Sequence, residues 1–172
     1  MYKLIGVVCI LAGTAGFALR LYGEHVERII QLKRMEENMH QMESEISYGK
    51  ADFCELCHLM SMRAKGAYEE FFRALYLDMK MNEGVTFSDL WHKHSCKIRE
   101  IKVLRKSDIE LFATFPPETG YLDGDMQIEE IKRKRRELSS YIAREEEKLR
   151  NNEKLYLTMG FMSGVFLVIL LL

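Results

Sequence analysis

The chain has 172 residues, enough for one domain and additional segments, with 30% charged and 48% hydrophobic residues. Its 25 basic and 26 acidic residues give a formal net charge of -1, so no global basic excess points to nucleic acid. The apolar excess is not evenly spread but gathers at the two termini.

At the amino end, Leu4 to Leu19 carries no charge, and Tyr2 and Tyr22 stand at its edges. At the carboxyl end, Leu155 to Leu172 is also uncharged, with Tyr156 near its start. A helix needs about 17–25 residues to cross the hydrocarbon of a bilayer. The second run fits; the first is slightly short and requires local thinning or recruitment of Leu21. A cleaved signal peptide ending near Gly16 and Ala18 is the alternative for the first run. The thin positive region ahead of it, with Lys3 alone, and the helical period beyond it favour an anchor.

Arg20, Arg28, Lys33 and Arg34 follow the first run, and Arg144, Lys148, Arg150 and Lys154 precede the second. Basic residues are retained on the cytoplasmic side, so both groups place the middle of the chain in the cytoplasm. Cys54, Cys57 and Cys96 would then lie in a reducing compartment, where structural disulfides are unusual.

The middle reads as helix throughout. Leu32, Met35, Met39, Met42 and Ile46 form a heptad-like apolar seam on a helix ending at Gly49. Asp52 is suited to cap a second helix, with Phe53, Leu56, Cys57, Met60 and Ala64 on one face. Gly66 breaks it. Tyr68, Phe71, Phe72, Leu75, Tyr76 and Met79 make a third amphipathic stripe, and Asn82-Glu83-Gly84 a turn. Thr86 or Ser88 caps a fourth helix carrying Phe87, Leu90, Trp91, His94, Ile98 and Ile101. Ser107 with Glu110 reads as a capping box for a short fifth helix to Phe115, which Pro116 and Pro117 stop. From about Asp125 the pattern stays helical to the end.

The expected fold is therefore all-α: a cytoplasmic bundle of about six helices over residues 23–154, flanked by an N-terminal transmembrane helix at 1–22 and a C-terminal one at 155–172.

Several patterns invite a chemical reading. Cys54-Glu55-Leu56-Cys57-His58 matches the C-x-x-C-H of haem attachment, a chemistry performed outside the cytoplasm. Cys57 lies on the apolar face, where a free thiol packs as a small hydrophobe. A zinc site could draw on His92, His94 and Cys96 with Cys54 and Cys57, but residues two apart on a helix point to opposite sides. No Gly-rich phosphate loop or nucleophile elbow is present, so neither enzymatic activity nor a cofactor is expected; the alternative is a metal- or haem-binding membrane protein that uses Cys54, Cys57 and His58.

Lys132-Arg133-Lys134-Arg135-Arg136 is the densest charge. At about 1.5 Å per residue, Arg136 is roughly 27 Å from Lys154 along a helix, beyond a Debye length of about 8 Å. These residues are a candidate partner-binding basic face, or a solvated face paired with Glu129, Glu130 and Glu137. Gly160 with Gly164, and Ala12 with Gly16, are small-residue pairs suited to close helix packing in lipid, within one chain or between chains.

The chain resembles the stage III sporulation protein AB family of endospore-forming bacteria over nearly its whole length. Glu45-Ile46-Ser47-Tyr48-Gly49 is similar to the family's E-I-x-Y-G. At the proline turn the family reads F-G-x-x-L-G-x-S-D, with glutamine four residues on. Phe115, Gly120, Asp123 and Gln127 stand at the matching offsets, while Pro116, Thr119 and Leu122 depart from the pattern. Met159-Gly160-x3-Gly164 before an aliphatic run is a third likeness.

The resemblance implies a soluble domain similar to the F-type platform proteins of type II secretion and type IV pilus systems. It further implies a place in the channel complex between mother cell and forespore, in the mother-cell membrane facing the forespore. The implied partners are a secretion-type sporulation ATPase and ring-forming membrane proteins. Partner contact is expected at Phe115–Gln127 or Lys132–Arg136, although the turn's Gly120 and Asp123 also suit backbone geometry alone.

Overall fold

The structure, a computed structural model, describes residues 2–49, 52–81, 84–115 and 124–171. Among them the elements are α1 (Tyr2–Gly49), α2 (Phe53–Arg63), α3 (Ala67–Met81), α4 (Phe87–His94), a 3-10 helix (Ser95–Glu100), α5 (Lys106–Ala113) and α6 (Gly124–Leu171). No strand occurs among the described residues. The chain divides into two compact units, one of Gln31–Ile142 and one of Met1–Ile30 with Ala143–Leu172. These boundaries follow packing. The segment boundaries expected from hydropathy fall instead at 22 and 155.

In the unit Gln31–Ile142, local signals set the helix ends. The Asp52 carboxylate accepts from the Glu55 backbone N–H at 2.7 Å and starts α2. The Thr86 hydroxyl accepts from the Asp89 N–H at 3.2 Å and starts α4. Gly66 turns the chain between α2 and α3 at φ +62°, where a Cβ would be strained. The start of α5 differs from expectation. There the Asp108 carboxylate accepts from the Arg105 N–H at 2.8 Å, so the carboxylate one turn in, rather than Ser107 with Glu110, closes the helix start.

The core of this unit is aromatic and thioether. Trp91 is fully buried, with Phe71 at 4.7 Å, Phe112 at 4.8 Å and Phe115 at 4.9 Å between ring centroids. Its indole N–H donates to the Phe112 carbonyl at 2.9 Å, so the one polar atom of the ring is satisfied. Leu32, Met35, Met39 and Met42 of α1 are buried, as the seam predicts. Tyr68 donates to the Gln31 carbonyl at 3.0 Å, tying α3 to α1. Tyr141 of α6 donates to buried Asp108 at 2.8 Å, tying α6 to α5.

The fourth helix is shorter than its stripe suggests. It ends at His94, and three-residue turns take over: Ile101 N–H donates to Ile98 O at 3.1 Å, and Leu104 N–H to Ile101 O at 3.0 Å. Ser95, Ile98, Ile101 and Leu104 recur every third residue, the period at which a 3-10 helix stacks side chains. Ser95, Ile98 and Leu104 are buried.

The other unit is organised in the opposite sense. α1 carries a stretch of mean hydropathy 1.8, long and apolar enough to cross a membrane; on α6, Thr158–Leu170 is apolar but shorter. Large apolar side chains face outward here: Phe17 is 64% exposed, Phe166 65% and Ile169 72%. Ala18 and Gly164 face inward. A Cβ built on Gly160 would lie 2.5 Å from the Ala18 Cβ, and one on Gly164 would collide with the Thr14 hydroxyl.

Candidate partner-binding surfaces

The basic run does not form one face. Consecutive helical residues are rotated by about 100°, and the five side chains scatter accordingly. Lys134 turns inward, 9% exposed, and its ammonium donates to the Thr114 hydroxyl at 2.8 Å and to Glu137 at 3.0 Å. Lys132 meets Glu129 at 3.1 Å, Arg133 meets Glu130 at 2.6 Å, and Arg135 meets Glu43 of α1 at 2.9 Å. Arg136 is exposed, and no ion pair joins it to another described residue. Three of these acids are the ones that the solvated-face reading named.

The residues of the proline turn are placed only in part. Phe115 is buried against Trp91 and serves the core. Gly120 and Asp123 lie outside the described residues, as do Pro116 and Pro117. Gln127 is on α6, with its side chain outside those described.

Within the chain, Gly160 and Gly164 approach Ala18 and Thr14. Ala12 is exposed, and a Cβ on Gly16 would meet nothing within 4 Å. Two residues along a helix is a rotation of about 200°, so Ala12 and Gly16 stand on the opposite face from Thr14 and Ala18.

The C-x-x-C-H segment is not presented as a unit. Cys57 is 0% exposed in the core, and burial pushes its thiol well above the usual range, reinforced by Cys54 and Asp52. Cys54 is half-buried, and the exposed His58 ring lies 4.6 Å from that of Tyr76. His92 and Cys96 are exposed, while His94 meets Asp78 at 2.8 Å. No group of three or more His, Cys, Asp or Glu suited to a metal ion occurs among the described residues.

Two features were not anticipated. Arg28 and Glu145 form a buried ion pair at 2.5 Å, their side chains 4% and 8% exposed. Lys148 reaches the other Glu145 oxygen at 2.6 Å. Burial pushes the Glu145 carboxyl up, but the hydrogen bonds and charges of Lys148 and Arg28 outweigh it, and the net displacement is downward. The second feature is a set of basic side chains on the three-residue turns after α4. The period-three apolar spacing was the available signal for that backbone.

These features define an all-helical protein with a membrane-length apolar stretch in its first helix and no metal-ligating group of three or more His, Cys, Asp or Glu among its described residues. The chain belongs to the stage III sporulation protein AB family, which it matches over residues 3–172. Stage III sporulation protein AB of Bacillus subtilis (strain 168) is 24% identical to it over 172 residues, covering 100% of both chains. No solved structure matches. Membership implies a role in sporulation, and the family is not a known enzyme family.

Proposed function

We propose that the protein is a non-enzymatic membrane scaffold of the sporulation channel complex between mother cell and forespore. In this reading it links a secretion-type ATPase to the ring-forming membrane proteins. Both apolar ends lie in the mother-cell membrane that faces the forespore, and the helices between them are cytoplasmic. The observation that carries the reading is the family match across residues 3–172.

Two further observations support the membrane part. Large apolar side chains such as Phe17, Phe166 and Ile169 point outward, while Ala18 and Gly164 are buried where α1 and α6 approach in Met1–Ile30 with Ala143–Leu172. In water, exposed surface of that kind forfeits about 25 cal/mol per Å² of burial; in lipid it is the normal arrangement. This bears on the C-terminal segment as much as on α1, because Gly160 and Gly164 lie directly on α1. The basic residues near both segments support a cytoplasmic middle.

The test is isolation of tagged full-length protein from sporulating cells in mild detergent. The ATPase and the ring-forming membrane proteins should co-purify. Isolation of the chain without either overturns the scaffold reading.

A further inference from the structure

The segment from Lys93 to Lys106 contains Lys93, Lys97, Arg99, Lys102, Arg105 and Lys106 against one acid, Glu100. It is less dense than Lys132–Arg136, yet far less neutralised. Lys93 meets Asp78 at 2.6 Å, and Lys106 meets Glu110 at 3.6 Å. Arg105, beside Asp108, also has partners. No ion pair joins Lys97, Arg99 or Lys102 to any described residue. Several basic side chains elsewhere in this unit take acids at helical spacing, as Arg73 takes Glu69 and Arg133 takes Glu130.

The backbone explains how the three charges are displayed. Ser95 and Ile98 stack inward on the 3-10 helix, Lys97 and Arg99 stand on its two flanks, and Lys102 lies in the turn that follows its end at Glu100. Arg99 and Lys102 are exposed and Lys97 is half-buried. The buried Ser95, Ile98 and Leu104 hold the frame on which the charges stand.

We propose that the surface carrying Lys97, Arg99 and Lys102 is the docking site for an acidic segment of a partner protein. The proposal rests on the scaffold reading and adds the face that binds and the chemistry it recognises. Uncompensated charge held on a rigid frame raises the on-rate and selects a complementary surface. A lipid surface is the poorer fit. Peripheral lipid binding couples basic charge to exposed apolar side chains, whereas Ile98 and Leu104 are buried and Ile101 and Val103 half-buried.

A photoreactive benzoylphenylalanine in place of exposed Cys96 or Glu100 in the full-length chain tests this in sporulating cells. The crosslinked peptide should carry an excess of Asp and Glu. Its yield should fall at least tenfold in Lys97→Glu/Arg99→Glu/Lys102→Glu and fall less in the corresponding triple Gln variant. Arg136→Glu should leave it unchanged. Trp91 fluorescence confirms that each variant is folded. A crosslinked peptide without acidic excess, lipid adducts alone, no adduct, or a yield unmoved by the triple reversal overturns the proposal. An acidic partner outside the channel complex would sink the scaffold reading and leave this surface standing.

Discussion

In Gln31–Ile142 the helices are spaced by large side chains, whereas in Met1–Ile30 with Ala143–Leu172 they close over missing ones. Trp91, Phe71, Phe72 and Phe112 fill the first unit; Gly160 and Gly164 open the second to Ala18 and Thr14. The first arrangement exploits exclusion of apolar surface from water. The second relies on the close approach of Gly160 and Gly164 to α1 and on the buried Arg28–Glu145 ion pair. One chain thus uses two packing rules, and each rule makes its own forecast.

The largest effect is expected in the aromatic unit. Trp91→Ala removes the ring at the centre and should destabilise it by about 3–5 kcal/mol. Hydrogen exchange of the full-length protein in detergent should show protection lost in α3, α4 and α5.

Next comes the ion pair. Breaking a buried pair from one side costs about 3–5 kcal/mol, whereas replacing both partners by apolar residues is often neutral. Arg28→Ala should fall at the low end, because Lys148 still reaches Glu145. Arg28→Met with Glu145→Leu should recover most of the loss. A double variant as unstable as the single one would show that the pair contributes more than charge compensation.

A smaller effect belongs to the glycines. Gly160→Leu forces a branched side chain onto Ala18 and should cost about 1–3 kcal/mol by overpacking. Exchange protection in Ala143–Leu172 reports it. The same change at Gly16, where the neighbouring space is open, should be close to silent.

The smallest is a pH effect. Hydrogen bonds from Lys93 and His94, with their charges, hold the Asp78 carboxyl below its ordinary value. A carboxyl lowered in the folded state contributes stability above its unfolded pKa and loses it as pH falls through the folded one. Stability measured from pH 6 downward should therefore decline in the wild type and decline less in Asp78→Asn.

The legible parts were those set by local period or local capping. The apolar stripes of α1 and α3 and the caps at Asp52 and Thr86 depend on residues within a turn or two of one another. What was missed depended on phase or on distant partners. Thr14, Leu21, Arg28, Met35 and Met42 recur every seven residues, and so do Leu11, Ala18, His25, Leu32, Met39 and Ile46. Carrying the Leu32–Ile46 seam backward along this repeat selects Thr14 and Ala18 over Ala12 and Gly16. The same repeat puts Arg28 at a core position, where a charge demands a partner that local sequence does not name. The change from four-residue to three-residue turns after His94 was hidden because Ile98 and Ile101 satisfy both periods; only Ser95 and Leu104 separate them. The basic run shows the limit of local counting: one-dimensional charge counts do not register that Arg135 finds Glu43, ninety-two positions away.

The burial of Cys57 makes the protein its own stopwatch. A sulfur sealed in the core is out of reach of alkylating reagents until α2 lifts away, while Cys96 on the surface reacts at once. The lag between the two modifications measures how often the α2–α3 hairpin opens, and it can be timed in living cells, with and without the partners in place.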